Sequence, residues 1–457
     1  MRVVVCGAGQ VGSQIARHLA DEGNTVTVID SNAALVRRLS DMFDITGFVG
    51  FASHPSVLKR AGAEDCDMLI AATSMDEVNM VACQVAHSVF QVPTKIARIR
   101  TEDYLEDEWS DLFRREHLPI DVIISPETEV ARATLRRLGA TAAFDVEPFL
   151  DGAVNFVGIK LDDECPVTNT PLRQLTELFS TLHARVLAVK RDGKLFVASP
   201  EDQLFAHDEV FFIATREDVQ RAFGIFGKTN REANRLLIVG AGHVGLRVAR
   251  EIEERQGQRA ILIERNRDRA ERAAEKLNRT VVLHGDALDT GLLDEAGIED
   301  ADAIVALTDD DRTNLLSCAM AEQTKPLISI ALAKDPSFER LVRPMQIDAL
   351  IDPRATTVSS ILRHVRRGKI RAVYSIAGGA GEVIEAQVMS TSALAGKRLR
   401  EIDLPREAIV GAIRSGKEVR MPAGDTIIGV GDVLVLFAAR SALQKVEQMF
   451  RVSIDFF

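Results

Sequence analysis

Two hexapeptides, GAGQVG from Gly7 to Gly12 and GAGHVG from Gly240 to Gly245, place three glycines at the spacing that lets a main chain wrap a pyrophosphate. Each follows an apolar run, RVVVC from Arg2 and RLLIV from Arg235, and each opens a stretch of helical patterning. The first glycine of such a turn (Gly7, Gly240) permits the tight bend, the second (Gly9, Gly242) lets the backbone approach phosphate, and the third (Gly12, Gly245) lets helix and strand pack closely. Between them Ala8, Gln10 and Val11, and Ala241, His243 and Val244, supply amide hydrogens at a helix start, where the dipole favours an anion. A carboxylate completes each set. Asp30 stands 18 residues after Gly12 and Glu264 stands 19 after Gly245, near the roughly 20 that put an acid on a ribose diol. The chemistry is nucleotide binding. Asp30 disfavours a 2′-phosphate and so selects NAD over NADP in the first set, whereas Arg265 beside Glu264 leaves the second undecided.

The two sets are not equivalent. Arg98 and Arg100 end an apolar run where the second set has Leu332 and Lys334, so only the first offers a guanidinium, Arg98, for a ligand phosphate at that place. Conversely Asp286, a polar candidate of the second site, is matched by Phe51 in the first. Thr73, matched by Thr308, is counted with the first site. His243 is expected to face solvent or a ligand phosphate. Either copy could instead keep its glycines for packing alone. The acid-rich TDDDRTN from Thr308 has two readings, a cation site or a solvated loop that caps the next helix.

Other chemistries lack their residues. There is no GxxxxGK[ST], HExxH, GxSxG or CxxC, and the nine histidines are dispersed. A dehydrogenase would need a proton donor near the nicotinamide, for which the segments between the glycine sets offer His183 and His207 alone. No catalytic or metal residue is assigned. Five scattered cysteines suit reduced, buried thiols, and the longest apolar runs, such as VLVLFAA from Val433, fall short of a membrane helix. With 56 basic and 67 acidic residues the net charge is −11, which repels nucleic acid. The one basic stretch, RHVRRGKIR from Arg363, reads as a solvated helical face.

The elements that must position these residues repeat. Gly50 with Gly285, Thr73 with Thr308, Asn79 with Asn314 and Cys83 with Cys318 all keep a separation of 235 across the 457 residues. Continuous apolar runs at residues 3–6, 25–29, 68–72 and 94–99 suit strands buried on both faces, hence an α/β, doubly wound parallel-sheet Rossmann domain in each half. After each comes a short strand, a helix, then hairpin strands with turns at Asp192-Gly193 and Ser415-Gly416: a small α+β domain. The expected order is a first Rossmann domain (1–123), a crossover helix segment (124–148), a small domain (149–226), a linker (227–234), a second Rossmann domain (235–350), a crossover helix segment (351–371) and a second small domain (372–457). Ser125-Pro126 and Asp352-Pro353 read as caps of helices that either pack internally or serve as subunit-joining arms.

Strand-GAGQVG-helix with Asp30, then AGAEDCDMLIAATSMDEVN and its twin GDALDTGLLDEAGIEDADAIVALTDDDRTN, then a small domain ending GDVLVLFA, resemble the RCK or KTN (regulator of potassium conductance) modules. The resemblance spans essentially the whole chain. It implies a regulatory subunit, not an enzyme, that binds NAD(H) and adenine nucleotides (ATP, ADP). Such a subunit self-associates as a dimer or tetramer ring and gates an integral membrane potassium transporter subunit by changing shape. The resemblance also implies a cytoplasmic location, held peripherally at the inner membrane through that partner. By position Gly7, Gly9, Gly12, Asp30 and Arg98 would line one site, and Gly240, Gly242, Gly245, Glu264 and Asp286 the other. Phe51 and Leu332 depart from the family's usual Asp and Arg.

Overall fold

The computed structural model describes residues 1–450 apart from residues 22, 325, 343 and 366–369. Residues 366–369 of the basic stretch and 451–457 of the last domain therefore lie outside the described residues. The first half begins β1 (Arg2–Cys6), α1 (Gln10–Asp21), β2 (Thr25–Asp30), α2 (Ala33–Met42), β3 (Ile45–Val49), α3 (Pro55–Arg60), β4 (Met68–Ala71), α4 (Asp76–Ser88), β5 (Thr94–Arg98), β6 (Val122–Ile124) and α5 (Pro126–Leu138). Its six strands run parallel in the order β3-β2-β1-β4-β5-β6. The order reverses between β1 and β4, and the crevice above that switch is where such sheets take ligands. β1 is buried almost end to end because helices cover both faces, which is why its side chains read as unbroken valines.

An antiparallel sheet follows: β7 (Asp145–Phe149), β8 (Val154–Lys160), α6 (Leu172–Leu178), β9 (Ala184–Arg191), β10 (Lys194–Val197), β11 (Glu209–Thr215) and α7 (Val219–Ile225), ordered β10-β9-β11-β8-β7. This sheet starts at Asp145, within the segment read from sequence as crossover. Loop 227–234 is pinned, not loose: Thr141 donates its hydroxyl to the Arg231 carbonyl (2.8 Å) and Ala142 its N–H to Asn230 Oδ1 (3.2 Å).

The second half repeats the plan with β12 (Arg235–Val239), α8 (His243–Glu254), β13 (Arg259–Glu264), α9 (Arg267–Lys276), β14 (Val281–His284), α10 (Thr290–Glu295), β15 (Ala303–Ala306), α11 (Asp311–Ala321), β16 (Ile328–Leu332), α12 (Glu339–Val342), β17 (Ala349–Ile351) and α13 (Pro353–Val365). Its parallel order is β14-β13-β12-β15-β16-β17. Then β18 (Ile370–Ile376), β19 (Gly381–Gln387), β20 (Ala408–Ser415), β21 (Glu418–Arg420) and β22 (Val433–Ala439) form the order β18-β19-β22-β20-β21, closed by α14 (Leu443–Phe450). The helix expected between β19 and β20 is reduced to a 3₁₀ turn, Leu399–Glu401. Pro405 explains the difference: it removes a backbone donor and disfavours helical geometry at Leu404.

The crossover helices are exchanged. Val130, Ala131, Leu135 and Leu138 of α5 sit in the core of the second half's sheet, beside Leu236, Ile238 and Val248. Val358, Ile361 and Val365 of α13 sit in the core of the first, beside Val3, Val5 and Ile15. Of the two sequence readings, internal packing describes them: each covers the sheet of the other half of the same chain. The small sheets also meet face to face, Phe149, Phe156 and Phe211 packing with Val383, Val435 and Phe437. Polar contacts pin that seam: Leu150 donates its N–H to Glu385 (2.7 Å), Tyr374 its hydroxyl to Asp145 (2.6 Å), and Arg414 pairs with Asp151 (2.7 Å). All five cysteines are free and buried, and burial pushes the Cys66 thiol up to about 11 and the Cys83 thiol up to about 12. Among the described residues, no helix is long and apolar enough to cross a membrane.

Candidate functional site

The exchange brings both glycine turns into one cleft of about 940 Å³. Gly7, Gly9, Gln10, Val11, Asp30, Thr73 and Arg98 line one side, and Gly240, Ala241, Gly242, His243, Val244, Glu264 and Asp286 the other. Ala8, Gly12 and Gly245 are placed differently, buried beneath the turns. The three glycines of each turn have separable causes. Gly7 (φ 107°) and Gly240 (φ 101°) lie in the left-handed region, and a Cβ there would press on Ala72 or Thr308. A Cβ at Gly12 or Gly245 would collide with the carbonyl of Gly7 or Gly240. At Gly9 and Gly242 a Cβ would meet nothing within 4 Å. No internal contact demands glycine at those two, and the space they leave open is cleft.

Each acid is held by its own turn. Asp30 accepts from Ala8 N–H (2.6 Å) and Asn32 N–H (2.7 Å); Glu264 accepts from Ala241 N–H (2.7 Å) and Asn266 N–H (2.8 Å). They differ in exposure: Asp30 is half-buried, while Glu264 is 7% exposed, drawn under the turn on its longer stem. Thr73 faces the cleft, but its hydroxyl donates to Asn79 Oδ1 (2.7 Å), and Asn79 in turn donates to the Arg98 carbonyl (2.8 Å). Thr308 and Asn314 repeat this brace, with Asn314 donating to the Leu332 carbonyl (2.8 Å). Thr73 thus fixes the ends of β4 and β5 relative to each other. The Asn–Thr pair carried a sequence signal, since both positions keep the 235-residue separation.

Arg98 donates to the Thr73 carbonyl (3.3 Å), and its Nε is buried without a partner. Burial, then the neighbouring Arg100, hold its pKa below the usual arginine value, so an anion there would be welcome. Phe51 is 57% exposed in the cleft wall. His243 reaches across to Glu102 of the first half (3.7 Å). The acids of TDDDRTN are occupied as loop and helix fasteners. Asp309 pairs with Lys334 (3.0 Å), Asp310 caps α11 through Thr313, and Asp311 accepts from the N–H groups of Lys334 (2.9 Å) and Asp335 (3.0 Å). Of the two sequence readings, the capping loop describes them.

Several cleft residues had no sequence assignment: Glu102, Glu127, Arg269, Arg272, Lys276 and Arg354. Glu127 and Arg354 stand at the starts of the exchanged helices, so their position depends on a swap that no local pattern signals. His183 and His207 lie outside the cleft, paired with Asp218 (2.9 Å) and Asp163 (3.5 Å).

Two Rossmann sheets whose glycine turns share a cleft, each followed by a small antiparallel sheet, define a tandem nucleotide-fold regulator. Residues 3–126 and 236–353 match the TrkA-N domain, and residues 156–227 and 383–451 match the TrkA-C domain. The chain belongs to the family of the Trk system potassium uptake protein TrkA. It is 48% identical over 458 residues to that protein of Azorhizobium caulinodans and 39% identical over 461 residues to that of Halomonas elongata, covering all of this chain and of each relative. Its fold is similar to the GsuK RCK domain (TM-score 0.59, 18% identity, 98% of this chain and 94% of that one). It is likewise similar to the GsuK channel bound to NAD (TM-score 0.59, 17% identity, 98% and 78%).

Proposed function

We propose that the chain is a nucleotide-responsive regulatory subunit whose shared cleft binds NAD(H) and ATP or ADP and so gates an integral membrane potassium transporter subunit of the TrkH type. The observation that carries this reading is the cleft itself: two phosphate-type turns, each with open space at its second glycine and a carboxylate at its strand end, face one volume. The pyrophosphate would lie on the amide hydrogens at the starts of α1 and α8, and Asp30 would accept from a ribose diol. Arg98, with an unsatisfied Nε, would meet a phosphate oxygen on the first side. No residue here is given a bond-making role; the work is done by differential binding.

A nucleotide that spans the cleft touches both halves, because Glu127 comes from a helix seated on the second sheet and Arg354 from one seated on the first. Binding energy that differs between an open and a closed cleft by about 1.4 kcal/mol shifts the equilibrium tenfold. The small sheets, buttressed against each other, would carry that change to a dimer or tetramer ring at the cytoplasmic face of the membrane. Calorimetry of NADH, ADP and ATP on the full chain tests the ligand. Capture of the membrane transport subunit with and without nucleotide tests the partner. Absence of binding by all three nucleotides, or steady NADH consumption with a small substrate, would overturn the reading.

A further inference from the structure

The face of α9 turned to the cleft carries a cationic stripe. Arg265 stands just before Asn266, the cap of α9, and Arg269, Arg272 and Lys276 follow at i, i+3 and i+7, the spacing of one helix face; all four line the cleft. All are exposed, and among the described residues none of their charged groups has a hydrogen bond or ion pair. Arg269 is near enough to help hold the Asp309 carboxyl below its usual range. The matching residues of the first half are Ser31, Leu35, Arg38 and Met42, of which Ser31 and Leu35 line the cleft. The α1 and α8 turns already provide for a pyrophosphate, so these cations are surplus to it. Arg265 directly follows the strand-end acid Glu264, and an arginine near that acid is what accommodates a phosphate on the adenosine ribose.

We propose that the second site is selective for a dinucleotide bearing a further phosphate on its adenosine ribose, the chemistry of NADPH, while the first takes the unphosphorylated form. This rests on the cleft being a nucleotide site. Glu264 does not forbid it: the carboxylate is 7% exposed, whereas Arg265 and Arg269 are exposed beside it, with Asp286 and Asp309 among the exposed acids on the same side of the cleft. At the first site the half-buried Asp30 carboxylate is flanked by Ser31 and Leu35, neither of which offsets a phosphate.

The test is calorimetric titration of the full chain carrying Gly9→Ala, whose methyl meets no protein atom within 4 Å and would lie where the first site's pyrophosphate sits, with NADPH and with NADH. NADPH should bind the second site at least tenfold more tightly at low salt, a preference that shrinks as salt screens it. The paired exchange Arg265→Ser/Arg269→Leu, which installs the first half's residues at exposed positions, should abolish that preference by lowering NADPH affinity at least tenfold more than NADH affinity. In the reciprocal background, Gly242→Ala with Ser31→Arg/Leu35→Arg should raise NADPH affinity at the first site. NADH binding with no NADPH preference, or a preference that survives Arg265→Ser/Arg269→Leu, overturns this inference and leaves the nucleotide reading standing. Failure of both dinucleotides and of ATP to bind overturns both.

Discussion

The two sides of the cleft share a backbone and differ in charge. Glu127 at the start of α5 corresponds to Arg354 at the start of α13, Leu35 to Arg269, and Phe51 to Asp286. The cations after β5 and β16 consequently choose different partners. Arg100 reaches Glu127 (3.0 Å), on a helix that packs against the other half, whereas Lys334, whose counterpart across the cleft would be the like-charged Arg354, turns back to Asp309 (3.0 Å) in its own half. Duplication kept what the fold needs, the first and third glycines of each turn, the Asn–Thr braces and the helix exchange. It changed residues of the cleft wall that no fold contact constrains. One side therefore couples to its neighbour through an ion pair while the other pairs within its own half.

The exchange is the part of this comparison that carries most stability. Leu138 and Ile361 are fully buried, each in the core of the half to which it is not joined in sequence. Leu138→Ala and Ile361→Ala should each cost about 2–5 kcal/mol. Amide exchange should show the loosening in the opposite half's sheet: β12 and β13 for Leu138→Ala, β1 and β2 for Ile361→Ala. Loosening confined to the mutated half would break the exchange.

The acids come next. Asp30→Ala removes an acceptor that faces the cleft, and NADH affinity at the first site should fall by about 1.5–3 kcal/mol for each charge-assisted bond lost. Glu264→Ala removes one held by its turn in the same way but only 7% exposed, so the loss of NADH affinity at the second site should be smaller. Equal losses in calorimetry would mean that the difference in burial has no consequence for ligand.

What was legible in the sequence, and what was not, follows from range. The glycine turns, Asp30 and Glu264 are local: a strand, a tight turn and a helix start within about 30 residues, so spacing alone locates them. The hairpin turn at Asp192-Gly193 was legible for the same reason, and the structure gives it positive φ at both residues. The shared cleft was not, because it depends on which sheet α5 and α13 cover, and their apolar spacing serves either sheet equally well. Arg269, Arg272 and Lys276 lay within reach: their helical spacing is plain in ERNRDRAERAAEK, but its meaning required knowing that this face of α9 borders the shared cleft. The lost helix before β20 was signalled by Pro405 and overridden by the analogy between copies.

Gly9→Ala and Gly242→Ala sharpen the comparison at smaller scale. A methyl at either position meets no protein atom within 4 Å, so the melting temperature should stay nearly unchanged. The methyl projects where a pyrophosphate would lie, and affinity should fall about tenfold, or about 1.4 kcal/mol, at the altered site alone. A fall at both sites would show that ligands cross the cleft.

The smallest effect is expected from the pair that turned inward. Lys334 donates to Asp309 and thereby holds its carboxyl below the usual carboxylate range, but the side chains are 41% and 87% exposed. Solvent screening limits such a pair to about 0.2–1 kcal/mol. Because the folded state depresses the carboxyl's pKa, the contribution is complete above the ordinary carboxylate pKa and disappears as pH falls through the lowered one. Lys334→Ala should therefore melt slightly below the parent at pH 7, and the gap should close in acid as Asp309 protonates. A gap that persists undiminished at pH 2 would place the effect in packing of the lysine stem. The charge asymmetry across the cleft would then lose one of its two partner choices.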